Sequence, residues 1–285
     1  MNNLLVFQSD FGLADGAVSA MYGVAKSVSL DLQLYDVTHE IPAYNIFEAS
    51  YRLYQSTSYW PEGTVFVSIV DPGVGSDRLS VVAKTHANQY IVTPDNGTLT
   101  HLSQSVGLSE VREIDEKVNR LPRSYESYTF HGRDVYAFTG ARLASGTITF
   151  EEVGPRVDLD EIIELTIPEV EIKDHIITGY IDILDVRFGN VWTNINKQFF
   201  EQEGIGYGDT LEVTIYNHSR QIYKNLISFG KSFADTRVGE PLLYINSLEK
   251  IGVALNQGSF ADAYHIKTGF QSKIQLRKVE KSIYR

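Results

Sequence analysis

An α/β N-terminal domain with a mostly parallel sheet, followed by a smaller all-β C-terminal domain, is the fold this 285-residue sequence predicts. Three observations carry the prediction. In the first half, short apolar runs alternate with segments whose apolar residues recur at helical spacing, the pattern of strands joined by crossover helices. From about Asp174 onward the pattern changes to short runs separated by turn residues, the spacing of an all-β domain. Between the two, Gly154-Pro155 and an acidic stretch from Asp158 to Glu171, containing Pro168, read as a linker. We therefore expect domains over 1–158 and 174–285 with a linker at 159–173, a division that suits a chain longer than a single core usually grows.

Taken in order, Leu4 to Gln8, Leu32 to Val37, Thr64 to Val70 and Gln89 to Thr93 are the expected strands of the first domain, each rich in β-branched, aromatic or leucine side chains. Gly16 to Ser29, Asn45 to Tyr59 and His131 to Ala144 carry apolar residues at helical spacing. In the second half the expected strands are Ile176 to Leu184, Asn190 to Ile195, Leu211 to Tyr216, Gln221 to Ile227, Pro241 to Ile245 and Ile251 to Leu255.

Composition narrows the function. Thirty-six acidic against 25 basic residues give a formal charge of -11, and no Lys/Arg run is present to neutralise a phosphate backbone, which argues against nucleic acid as a partner. The chain has no cysteine, so disulfides, thiolate nucleophiles and thiolate metal sites are excluded together. The first residues lack a basic segment followed by a long apolar one, and no apolar stretch approaches the length of a membrane span; the expectation is a cytoplasmic protein without a membrane partner.

The most informative segment is Asp71-Pro72-Gly73-Val74-Gly75-Ser76-Asp77-Arg78, which follows the Thr64 to Val70 strand. Open α/β sheets bind ligands outside the carboxyl ends of their strands, and this loop sets a carboxylate and a guanidinium there on a Pro/Gly frame. An exposed ion pair is the alternative use of the same residues. A phosphate loop is excluded, because Arg78 stands where a third glycine belongs and no Gly-Lys-Ser/Thr follows. Asp10 and Asp15, after the first strand, share the same sheet edge. Asp10 is the better ligand, since a carboxylate there can accept both hydroxyls of a ribose diol, whereas Asp15 serves equally well as a helix cap. His131, in Thr129-Phe130-His131-Gly132-Arg133-Asp134, opens a helix, where the dipole disfavours imidazolium; it is either a proton acceptor or a capping residue. Asp185 to Asn194 collects Phe188, Asn190 and Trp192 beside a carboxylate, a cluster suited either to a purine pocket or to core and turn. The seven histidines show no metal-ligand spacing and Gly-x-Ser-x-Gly is absent, so neither a metal site nor a serine hydrolase is expected.

These segments occur in an order that carries a resemblance: Ser9-Asp10-Phe11-Gly12 with Asp15, Asp71 to Gly75 with Arg78, Pro94-Asp95-Asn96-Gly97, Phe130 to Asp134, Phe188 to Asn194 and Asn246-Ser247. The series resembles the adenosine-forming S-adenosyl-L-methionine hydrolase family, also called S-adenosylmethionine hydroxide adenosyltransferase, whose relatives are the fluorinases and chlorinases. The resemblance implies a barrel-like C-terminal domain, a homotrimer with sites between subunits, and hydrolysis of S-adenosylmethionine to adenosine and L-methionine without a cofactor. It implies that Asp71, Arg78 and His131 handle the water, a triad that halide-using relatives lack, with Tyr at the place of Asp71. It further implies that Asp10 holds the ribose hydroxyls, that Tyr44 covers the ribose, and that Thr129 and Phe130 line the pocket. Asp185 would receive the methionine ammonium, Phe188, Asn190 and Trp192 would surround the nucleoside, and Ser247 would meet the amino-acid end. Leu248 stands where the halogenases carry Arg, so the resemblance assigns no anchor to the substrate carboxylate.

Overall fold

The computed structural model describes residues 2–126 and 129–279. The chain divides into two compact units, Met1–Leu165 and Thr166–Arg285.

Unit 1 contains β1 (Leu4–Ser9), α1 (Ala17–Val28), β2 (Gln33–Thr38), α2 (Ile46–Thr57), β3 (Val65–Ile69), β4 (Ser80–Thr85), β5 (Tyr90–Pro94), α3 (Thr100–Ser105), β6 (Leu108–Glu113), a π-helical turn at Gly132–Ala137 running into α4 (Phe138–Ala144), and β7 (Arg156–Val157). Its sheet runs β2-β1-β3-β5-β4-β6-β7. The expected mostly parallel sheet is corrected here to a mixed one. β2, β1, β3 and β5 are parallel neighbours, but β4 lies antiparallel to both β5 and β6, and β6 antiparallel to β7. The reason is local: β4 and β5 are joined by a short turn in which the Thr85 N–H donates to the Gln89 carbonyl (2.9 Å) and Asn88 takes φ +55°. A turn that short returns the chain antiparallel, since a parallel return needs a crossover.

The sheet's two faces carry separate cores. One packs Leu5, Phe7, Val65 and Val67 against Met21 of α1 and Ala141 and Leu143 of α4; the other packs Val6, Phe66 and Ile91 against Leu53 of α2 and Leu102 of α3. Gly140 makes the first arrangement possible, because a Cβ there would lie 2.5 Å from Val67. Strands buried on both faces read as continuous apolar runs. Hence Val65–Ile69 is legible as a strand from its composition alone.

Unit 2 contains β8 (Glu171–Lys173), β9 (Ile176–Asp185), β10 (Asn190–Asn196), α5 (Lys197–Gln202), β11 (Thr210–Asn217), β12 (Arg220–Phe229), β13 (Pro241–Ile245), β14 (Lys250–Leu255), α6 (Phe260–Tyr264) and β15 (Gly269–Lys278). The order β10-β14-β13-β12-β11-β15-β9-β8, together with pairing of β10 to β9, closes seven strands into a barrel with β8 appended. Inward side chains such as Val191, Val213, Ile227, Leu243, Val253 and Ile274 fill it. Closure removes the unpaired edges that an open sheet would leave. The six strands expected from the sequence are present, and β15 completes the ring. Among the described residues no helix is long and apolar enough to cross a membrane.

Candidate active site

In unit 1, β1 and β3 end side by side, and the residues that follow them, Asp10 and Asp71, face a cavity of about 250 Å³. Tyr44, Thr129, Phe130 and His131 line the same cavity, so six residues singled out in the sequence come together there. Asp10 does more than face the space. Its Oδ2 accepts the backbone N–H of Tyr44 (2.8 Å) and so holds that residue at φ +68°, a left-handed conformation a tyrosine rarely takes unaided. Phe11, which the sequence reading did not assign, packs edge-on against Phe130 with ring centroids 5.6 Å apart. Asp15 lies apart from this group, just before the N-cap Gly16, and accepts the N–H of Ala17, the first residue of α1 (2.9 Å).

Asp71 and Arg78 form a two-pronged pair. Nε donates to Oδ1 (2.7 Å) and Nη2 donates to Oδ2, with both side chains largely out of solvent. The pair is therefore not the exposed kind that contributes little. Arg78 does not line the Asp71 cavity. It lines a separate cleft of about 490 Å³ with Ser80, Asp115 and Glu116, and its remaining nitrogen Nη1 donates to Ser80 Oγ (3.1 Å). Each carboxylate oxygen of Asp71 has two acceptor positions, and the guanidinium fills one on each, so acceptor capacity remains for a molecule in the cavity.

His131 precedes the π-helical turn and is buried. Burial pulls its pKa below the usual imidazole value. Two ion pairs act on it in opposing directions: Glu116 and Asp71 raise the value, while Arg120 and Arg78 lower it. Glu116 and Arg120 are themselves paired at 2.6 Å, with the arginine side chain buried. With the charges opposed, desolvation decides, and His131 is neutral at pH 7. For Arg78, burial is the largest influence and works against the charged form, but hydrogen bonding to Asp71 together with the charge interactions around it outweighs burial and the pKa rises.

In unit 2, Asp185 and Asn190 face each other across the β9–β10 hairpin, and Asn190 Nδ2 donates to Asp185 Oδ2 (3.2 Å). Gly189 closes the turn at φ +68°, where a Cβ would lie 1.9 Å from Ser259 Oγ. Phe188 projects from this turn, 65 % exposed, into a cavity of about 980 Å³ that Asp185, Asn190, Trp192 and Ser247 also line. Trp192 is fixed by donating its indole N–H to Tyr244 Oη (2.8 Å), and burial pushes the Tyr244 phenol up to about 12. Asn246 Oδ1 accepts the N–H groups of Leu248 (2.9 Å) and Lys250 (3.1 Å), shaping the turn that carries Ser247. All five unit 2 residues expected at a site thus share one cavity. Sequence reasoning missed Tyr244, Ser80, Tyr136 and Glu116, and it gave Asn246 no role beyond its place in the Asn246-Ser247 motif. Buried tyrosines in apolar runs read as core, and Glu116 belongs to no motif.

Among the described residues no group of three or more His, Asp or Glu is disposed to hold a metal ion. The arrangement offers unit 1 two carboxylates and an imidazole facing one cavity, and unit 2 aromatic faces, an amide and a carboxylate facing another.

Comparison with known proteins matches these features. A family model described as the SAM hydroxide adenosyltransferase N-terminal domain matches residues 5–154, and the C-terminal domain model of the same name matches residues 179–273. An (R)-S-adenosyl-L-methionine hydrolase from Methanocaldococcus jannaschii is 34% identical over 241 residues, covering 82% of each chain. A fluorinase from Actinopolyspora mzabensis is 27% identical over 295 residues, covering 95% of this chain and 96% of the other. A crystal structure of an uncharacterized conserved protein from Thermotoga maritima superposes with a TM-score of 0.87 at 31% identity, covering 96% of this chain and 99% of that one.

Proposed function

Because the chain belongs to the SAM hydroxide adenosyltransferase family, we propose that it hydrolyses S-adenosyl-L-methionine to adenosine and L-methionine, with water attacking the ribose 5′ carbon. One observation supports water over halide as the nucleophile: the Asp71 carboxylate opens on the unit 1 cavity beside a neutral His131. A carboxylate accepts a hydrogen bond from water and turns its lone pair toward carbon, whereas a halide in the same place meets like charge.

The chemistry asks little of the protein at the leaving side. The C5′–S bond breaks with its electron pair passing to sulfur, and a sulfonium leaves as a neutral thioether without a general acid. At the attacking side a water oxygen must lie in line behind C5′ and shed a proton as the new C–O bond forms. Holding the two reactants together in that geometry contributes up to roughly 7 kcal/mol. Asp71 and His131, both lining the cavity, are the acceptors assigned to such a water, and either balances the reaction. The Arg78 side chain donates to Asp71, Leu79 and Ser80, which supports a role exerted through Asp71 rather than on the water itself.

Asp10 is suited to the ribose diol and Tyr44 to covering the ring. In unit 2, Phe188 and Trp192 offer faces to the adenine, Asn190 an amide, Asp185 a carboxylate for the methionine ammonium and Ser247 a hydroxyl for the amino-acid end. We place the two sets on one substrate molecule across the interface of a homotrimer. The division supports this: the groups assigned to the water and the ribose belong to unit 1, and those assigned to the adenine and the amino-acid end belong to unit 2. The cysteine-free chain suits a cytoplasmic enzyme.

The test is incubation of purified protein with S-adenosylmethionine in chloride, in fluoride and in neither, followed by chromatography. Equal amounts of adenosine and methionine are expected in all three, unchanged by excess EDTA. Formation of a 5′-halogenated nucleoside, of methylthioadenosine, or of nothing would contradict the assignment.

A further inference from the structure

The element that carries His131 was expected to be an ordinary helix, yet it opens with a π-helical turn at Gly132–Ala137. In a π turn the backbone bonds run from i to i+5, so residues five apart come nearly above one another, which an α-helix does not allow. His131 and Tyr136 are such a pair. Tyr136 is fully buried, and its hydroxyl lies 3.1 Å from Ser80 Oγ. Ser80 Oγ in turn accepts Nη1–H of Arg78 (3.1 Å), the Arg78 guanidinium lies 5.7 Å from the centre of the Tyr136 ring, and the other two prongs of Arg78 hold Asp71. A continuous path therefore runs from the turn that follows the histidine to the Asp71 carboxylate.

We infer that Tyr136, acting through Ser80, is a positioning residue for the proposed hydrolysis: it sets the Arg78 fork so that Asp71 presents its free acceptor positions to the water while His131, at the start of the same turn, faces the same space. The inference rests on the functional reading above. Three features support it. The hydroxyl is the only polar atom of the Tyr136 side chain, and it is hydrogen-bonded to Ser80, which does not line the Asp71 cavity. Tyr136 stays protonated, because burial drives its ionisation well above the usual tyrosine value, so no phenolate competes with Asp71 for the guanidinium. A three-pronged hold on Arg78 leaves it one orientation, where the two-pronged pair alone can swing with the Asp71 loop.

The test uses Tyr136→Phe, which keeps the ring over Arg78, and Ser80→Ala, with the double variant. Each single change is expected to lower kcat roughly ten- to hundredfold while KM for S-adenosylmethionine moves less than about twofold, the pattern of a misplaced reacting group. The double variant should be no slower than the slower single one, because both act on one path. A Tyr136→Phe enzyme with parental kcat, a loss confined to KM, or losses that multiply in the double variant would each overturn the inference. Should Tyr136→Phe not fold, the same criteria applied to Ser80→Ala decide. A parent enzyme that forms no adenosine overturns the functional reading instead; the crystal structure of Tyr136→Phe then tests the positioning by itself, which requires a displaced Arg78 and is overturned by an unmoved one.

Discussion

Asp71 and His131 reach one cavity by different means, and their properties separate accordingly. Asp71 is held by a charged partner, so removing its charge or loosening the pair is expected to lower turnover about 10²- to 10⁴-fold while substrate affinity falls far less. Asp71→Asn and Arg78→Lys test this; the lysine keeps the charge but not the fork. Calorimetry alongside kinetics is the measurement, and equal losses in affinity and rate would reduce these residues to substrate holders. His131 is held neutral by burial, so its folded pKa lies below the value near 6.5 of the unfolded chain. Activity that needs the neutral imidazole should therefore be flat through neutrality and fall only on an acid limb below about 6.5. Glu116 raises the His131 value, hence Glu116→Gln should shift that limb to still lower pH. The same depression bears on stability: the contribution is present above the unfolded value and is lost as pH falls through the folded one, so His131→Asn should flatten the acid side of the stability profile. The chemistry-bearing residues were readable in the sequence because each sits beside a strand end or a turn signal. Ser80 and Tyr136 were not, since a serine opening a strand and a tyrosine in an apolar helix carry no mark of the hydrogen bond that joins them.

At the scale of elements, four strands of unit 1 and six of unit 2 were legible from composition and turn residues, whereas β4, β6, β7, β8 and β15 were not expected, and neither were the strand directions. Ser80–Thr85 is an apolar run like its neighbours, and only the tight turn with Asn88 in a left-handed conformation makes it antiparallel. The π-helical turn was equally silent, because one extra residue per turn leaves the apolar spacing of a short segment nearly unchanged. The β9–β10 turn, by contrast, is specified residue by residue. Replacing Gly189 with Ala puts a Cβ 1.9 Å from Ser259 Oγ at a φ of +68°, and should cost about 1–3 kcal/mol of stability. Because that turn carries Phe188 and leads into Asn190, adenosine affinity should weaken as well. Thermal unfolding with calorimetric titration of adenosine checks both, and unchanged binding would separate the turn from the nucleoside.

At the scale of the whole molecule, the proposed reaction draws on groups of both units, with the substrate joining them across subunits of the proposed trimer. Mixing Asp71→Asn protein with Asp185→Ala protein, after subunit exchange verified by mass spectrometry, should restore activity at about one quarter of the sites, since half of the first walls and half of the second remain intact in random pairing. Activity that stays at the level of the two parents would place both halves in one chain. Beneath that question lies the identity of the nucleophile, on which the roles of Asp71, Arg78 and His131 all depend. Turnover of S-adenosylmethionine in ¹⁸O-labelled water, with mass spectrometry of both products, tests it most directly. The label is expected in the 5′ oxygen of adenosine and absent from methionine. Unlabelled adenosine, or label in methionine, would show that water does not attack C5′.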